Sequence, residues 1–97
     1  MPAPVSGHCH PSFTAVRSAF ADNFTARGEV GAAVCVIVGG ETVVDLVGGW
    51  ADEAATRPWQ PDTLVNIYSV GKAVVATLLL QLVDRGLVSL DDPIASV

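Results

Sequence analysis

The 97-residue chain carries five basic and ten acidic side chains, for a formal net charge of −5. With 51% hydrophobic and 15% charged residues it is too apolar to be disordered, and its acidic balance excludes a surface built to neutralise phosphates, so no nucleic-acid partner is expected. The length suits one domain at most, and so greasy a composition on so short a chain suits the buried portion of a larger domain, because small domains expose much surface and need more charge.

Residues 1–11 hold prolines and Gly7 with no apolar periodicity, which predicts a flexible tail. The same stretch lacks the basic region and apolar core of a secretory signal, and the expectation is a cytoplasmic protein. His8, Cys9 and His10 supply too few ligands for a metal, with no second cluster nearby, so no metal or cofactor is expected. Cys9 and Cys35 make no disulfide framework. Cys35, inside an apolar run, reads as a small buried hydrophobe.

Phe13, Val16, Phe20 and Phe24 recur at helical spacing, opened by Pro11 and Ser12 and stopped by Gly28. A stripe of phenylalanines predicts core packing. Ala32 to Val38 is continuous and β-branched. Gly39-Gly40-Glu41 and then Thr42 to Val47 follow it, which reads as a hairpin around a glycine turn. The first of these strands is apolar on both sides, which predicts cover on both faces. Gly48 and Gly49 end the second strand, and residues 50–63 form a longer connection.

Residues 69–86 predict a helix, with Ser69 as its N-cap and Gly86 just past its end. On a wheel at about 100° per residue, Thr77, Gln81, Asp84 and Arg85 form a narrow polar stripe. Val75, Leu78, Leu79, Leu80, Leu82 and Val83 fill most of the remainder, as expected of a central helix packed on several sides. The run from Ala73 to Leu80 is broken by Thr77 and is far short of the roughly 20 apolar residues that a membrane span needs. Leu90-Asp91-Asp92-Pro93 signals a turn. One amphipathic helix and two strands cannot cover so apolar a helix. The missing cover is expected from more sequence, another chain or self-association.

Lys72 is the only lysine and follows Ser69 by three residues, so on a helix the two side chains are neighbours. On the wheel both fall on the apolar side, facing a packed interior or a cleft in it. A cation in the first turn opposes the helix dipole by about 0.3–1 kcal/mol, where a purely structural capping box would place Glu or Gln. An amine held there can take the proton of a serine hydroxyl. The plainer alternative is that Ser69 caps the helix while Lys72 reaches solvent. The pair alone leaves both readings open.

The framing residues add to this. Asp62-Thr63-Leu64, Ser69-Val70-Gly71-Lys72 and the run Leu82-Val83-Asp84-Arg85-Gly86-Leu87-Val88-Ser89-Leu90-Asp91-Asp92-Pro93 resemble the serine β-lactamase/penicillin-binding-protein superfamily. The likeness is to its class C β-lactamase-like branch, which includes the family VIII carboxylesterases. Gly31-Ala32-Ala33 and Gly48-Gly49-Trp50-Ala51-Asp52 fit the same branch, so the resemblance runs over roughly residues 12–96. It implies an α+β chain: the N-terminal part of a β-lactamase/transpeptidase-like fold, with a helix, a hairpin of an antiparallel sheet and a buried central helix. Residues 12–97 would then be an incomplete hydrolase domain.

The resemblance further implies Ser69 as the acylated nucleophile and Lys72 as its hydrogen-bonded proton carrier. The Ser69 N–H would be one half of an oxyanion hole. Gly71, a poor helix former, would leave room for substrate or a tyrosine-bearing segment. No cofactor is implied. The substrate would be a small-molecule ester or β-lactam. The lack of an export signal favours the ester, with a β-lactamase or a penicillin-binding or peptidase relative as the alternative. The family's Tyr-x-Asn or Tyr-x-Ser motif and its Lys-Thr-Gly-type motif do not occur here. Tyr68, the only tyrosine, directly precedes Ser69 and does not match. The expectation is an N-terminal piece that is inactive alone. The competing expectation is a non-catalytic truncated product that acts only by association through exposed apolar surface.

Overall fold

A computed structural model describes residues 2–96, and the chain divides after Leu64 into two units. The first unit contains β1 (Val5–Cys9), α1 (Thr14–Ala26), β2 (Gly31–Val38) and β3 (Glu41–Gly49). The strands form one antiparallel sheet in the order β1-β3-β2. Val38 pairs with Glu41, so Gly39 and Gly40 make a two-residue turn. Their φ values of 58° and 83° are the two positive angles that a tight hairpin of this hand requires. The hairpin is therefore as the sequence predicts.

A short 3-10 turn over Pro11–Phe13 leads into α1. His10 Nδ1 accepts the Ser12 N–H at 3.1 Å, and the Thr14 hydroxyl donates to the Pro11 carbonyl at 2.8 Å. The expected stripe is the face that packs on the sheet. Phe20 is buried against Val43, Val44 and Leu46, and Phe13, Val16 and Phe24 are partly buried around them. Val44 and Leu46 are completely enclosed. Burying each such side chain is worth about 1.5–3 kcal/mol. Val34 and Val36 of β2, in register with Leu46 and Val44, extend the same layer.

Three expectations are corrected in this unit. The opening segment, expected as a tail without regular structure, contains β1, paired with β3 from Val5↔Gly48 to Cys9↔Val44. Its sequence, Val-Ser-Gly-His-Cys, offers only Val5 and Cys9 as apolar groups, both packed against the core, and main-chain pairing to a distant partner completes the strand. Adding β1 places β3 in the middle of the sheet and leaves β2 at an edge. The face of β2 that carries Ala33, Cys35 and Ile37 is exposed, rather than covered as its composition predicts, because α1 packs on the opposite face and no described element covers this one. Cys35 lies on that exposed face, opposite Asp45, and is not a buried hydrophobe.

The connection after β3 is tied to the end of the sheet. Trp50 donates its N–H to Val30 O at 2.8 Å, and Trp59 donates to Gly49 O at 3.0 Å. Asp52 organises the intervening loop. Its carboxylate accepts the N–H groups of Thr56 and Arg57, the Thr56 hydroxyl and the Arg57 Nε.

The second unit begins with a 3-10 turn over Tyr68–Val70 that runs directly into α2 (Gly71–Asp84). The helix ends as expected at Gly86. There the Gly86 N–H bonds Val83 O at 2.9 Å and the Leu87 N–H bonds Leu82 O at 3.0 Å, satisfying carbonyls that the helix leaves open. Ser89 and Asp92 close the predicted turn, with Asp92 Oδ2 accepting the Ser89 N–H at 2.8 Å. None of its residues is buried and Leu78 is 55% exposed, so the described residues do not supply the cover that its apolar sides call for, in line with the deficit read from the sequence. Among the described residues no helix is long and apolar enough to cross a membrane.

Candidate active site

Ser69 sits inside the 3-10 turn and not at the cap position of α2. Val70 flanks the helix there and makes no side-chain cap bond. The expected capping role of Ser69 is therefore corrected. Its hydroxyl is left free of the backbone and accepts instead from Lys72 Nζ at 3.0 Å. The spacing of the two residues produces the contact directly: one lies in the last residues of the turn and the other in the first turn of α2, so both project from neighbouring steps of one spiral.

Both side chains are exposed, so the dry interior or cleft expected from the wheel is not found among the described residues. The physical reason is that no element buries any residue of α2. The contact itself satisfies the geometric demand on a nucleophile and its proton acceptor, which must lie within hydrogen-bond reach. Lys72→Ser69 is a single donor to a single acceptor, with no third side chain bonded to either atom among the described residues.

Two neighbours of Ser69 were not signalled by motif or spacing. Tyr68 has φ of 48°, a left-handed backbone that is uncommon outside glycine and rare for a bulky residue. Asn66 Oδ1 accepts the Tyr68 N–H at 3.0 Å. An asparagine two residues before a turn is a recognised local signal for such a bond, and it was the one available clue.

The structure disperses the His8, Cys9 and His10 trio. Cys9 donates its thiol to Phe13 O at 3.3 Å, and His10 Nδ1 is engaged by Ser12. Successive residues of β1 also alternate between sheet faces. Gly71 has open space where a side chain would stand.

The family model described as Beta-lactamase matches residues 16–97. Esterase/beta-lactamase LipL of Mycobacterium tuberculosis is 40% identical over 91 residues, 94% of this chain and 21% of that protein. Esterase EstB of Burkholderia gladioli is 43% identical over 68 residues, 70% of this chain and 17% of that protein. Among solved structures, a family VIII carboxylesterase superposes with a TM-score of 0.90 at 46% identity, over 96% of this chain and 25% of that one. A penicillin-binding protein homolog from Caulobacter crescentus gives 0.80 at 46% identity, over 86% of this chain and 22% of its own. The chain thus spans about a sixth to a quarter of the length of these relatives.

Proposed function

Because the chain belongs to the β-lactamase family, we propose that it supplies the nucleophile of a serine hydrolase that cleaves carboxylic esters through an acyl-enzyme. Residues 12–97 form the N-terminal portion of that hydrolase domain. The observation that carries the reading is the 3.0 Å contact between Lys72 Nζ and Ser69 Oγ. Ser69 Oγ attacks the ester carbonyl carbon, and its proton passes to Lys72 Nζ when that amine is unprotonated. The carbonyl oxygen takes the negative charge, and the Ser69 N–H is one of the donors that stabilise it. Collapse of the tetrahedral intermediate breaks the ester C–O bond and releases the alcohol, which leaves with a proton. Water then attacks the acyl-serine, releasing the acid and restoring the hydroxyl.

The choice of ester is supported by the names of the relatives, two esterases and a carboxylesterase. A Tyr-x-Asn or Tyr-x-Ser motif and a Lys-Thr-Gly-type motif are not among these 97 residues, so the 97-residue chain by itself is expected to be inactive. The test therefore uses the natural polypeptide in which this sequence is joined to those motifs. Ser69→Ala is expected to abolish covalent labelling by a fluorophosphonate. A mutant that still labels overturns the assignment of the nucleophile. Turnover of a short-chain p-nitrophenyl ester is expected to exceed that of a chromogenic cephalosporin. The reverse order selects the β-lactamase reading, the second activity in the name of LipL.

A further inference from the structure

We propose that His10 is a pH-operated cap, which fastens the corner between β1 and α1 while its ring is neutral and frees it when the ring is protonated. His10 follows the last residue of β1 and stands at the cap position of the Pro11–Phe13 turn, with φ −59° and ψ 140°. Three bonds meet there. The His10 N–H extends the strand pairing by donating to Val43 O at 2.7 Å, and its carbonyl accepts the Phe13 N–H at 2.8 Å. Its Nδ1 accepts the Ser12 N–H at 3.1 Å. The ring also stands edge-on to the Phe13 ring, with 6.3 Å between centroids. Pro11 has no N–H, so the Ser12 amide is the first donor of the turn, and the imidazole is its acceptor.

The identity of the cap is what makes the corner sensitive to protons. Caps are ordinarily Ser, Thr, Asp or Asn, whose oxygens still accept in mildly acidic water. An imidazole accepts only through an unprotonated nitrogen. The bond to Ser12 therefore puts the single proton of the neutral ring on Nε2. A second proton goes onto Nδ1 and turns the acceptor into a donor facing the Ser12 N–H. The resulting cation also stands at the positive end of the turn that leads into α1. Both effects have one sign: the bond is present while the ring is neutral and is lost as pH falls through the imidazole range, about pH 8 to 5. The titratable and charged groups on the elements that meet here are His8 and Cys9 of β1, Glu41 and Asp45 of β3, and Arg17 and Asp22 of α1. None forms an ion pair with His10, since the Asp52–Arg57 contact is the only ion pair among the described residues. The Cys9 thiol donates to Phe13 O. No carboxylate is thus in place to hold the protonated ring at the corner.

The test uses the natural polypeptide that carries the sequence, with His10→Asn and His10→Ala as variants. Hydrogen–deuterium exchange is read by mass spectrometry on the peptide covering residues 10–16, at about pH 8 and about pH 5. Each rate is divided by that of the same peptide in the unfolded chain at the same pH, which removes the intrinsic effect of pH on exchange. In the unmutated protein, protection of this peptide is expected to fall about 5-fold between the two pH values, the size of one lost cap expressed as a ratio. The peptide over β2 and β3 is expected to keep its protection. In His10→Asn, whose amide oxygen accepts at both pH values, protection is expected to change by less than about 2-fold. His10→Ala is expected to match the acidic state of the unmutated protein at both. The second readout needs no folded variant at acid pH: in 15N-histidine-labelled protein, the His10 signals, assigned by their absence in His10→Asn, are expected to show the Nε2-protonated ring at about pH 8. A proton on Nδ1 there overturns the proposal. So does protection that survives at acid pH in the unmutated protein, or that falls equally in His10→Asn. None of these readouts involves ester hydrolysis, so the result stands apart from that of the nucleophile test.

Discussion

At Ser69 and Lys72 two exposed polar side chains touch at 3.0 Å, and an exposed pair contributes little to stability. Lys72→Ala is therefore expected to change the unfolding free energy by no more than about 0.5 kcal/mol. If the proposed proton transfer is right, the same substitution slows acylation by roughly 100-fold or more. Lys72→Arg retains the charge but cannot give up its proton, so its acylation rate is expected to follow Lys72→Ala and not the parent. Urea unfolding and fluorophosphonate labelling on the same samples separate the two effects. Asp52 makes the opposite kind of contribution. The Thr56 hydroxyl above all, together with the Thr56 and Arg57 N–H groups and the Arg57 guanidinium, lowers its pKa to about 2 despite an opposing push from burial. A carboxylate whose folded pKa lies below its unfolded one adds stability above the unfolded value, and that stability is lost as pH falls through the folded one. The window here runs from about pH 4 down to about pH 2. Asp52→Asn is expected to melt at a lower temperature than the parent at pH 7, with the gap closing as pH falls through this window, as read by circular dichroism melts.

Among the elements, α1 and the sheet depend on a close approach at Gly48. A Cβ there would lie 2.8 Å from the Phe20 ring and 2.7 Å from the Phe24 ring, which are themselves packed edge to face at 5.2 Å. Gly48→Val is expected to destabilise the sheet by about 1–3 kcal/mol through overpacking. Leu46→Ala, which empties the centre of the same layer, is expected to cost about 2–5 kcal/mol, and denaturant titration measures both. These two elements were also the readable ones. Phe13, Val16, Phe20 and Phe24 announce α1 because their period reports a core that lies within the same unit. Gly39-Gly40 announces the hairpin because the turn carries its own chemistry. The strand β1 was not readable: Val5 pairs with Gly48, and nothing local to Val5 encodes a partner so remote. Cys35 was misread because an apolar run does not reveal which of its two faces the packing helix will cover. At the candidate site the spacing of Ser69 and Lys72 gave their contact, whereas the left-handed Tyr68 is a property of backbone torsions that its residue type argues against.

For the molecule as a whole, the apolar excess noted in the composition resides largely on α2, where Val75, Leu78, Leu79 and Leu80 are each at least half exposed. Contiguous apolar surface of this kind drives association. The 97-residue chain is expected to give a light-scattering mass well above 10.0 kDa, and Leu78→Gln is expected to lower it. A clean monomer from the unmutated chain would show that the helix tolerates water without a covering partner. The order of the elements along the chain has a separate bearing on biosynthesis. All three strands among the described residues, and the helix that packs on them, are encoded before Trp50, whereas Ser69 and α2 come later. At about 5–20 residues per second, ribosomes deliver these three strands a few seconds ahead of α2, and a hairpin closes in about 1–10 μs. Translation thus makes all three of these strands before the bare leucines of α2 exist, so the greasiest stretch is the last of these elements to be born.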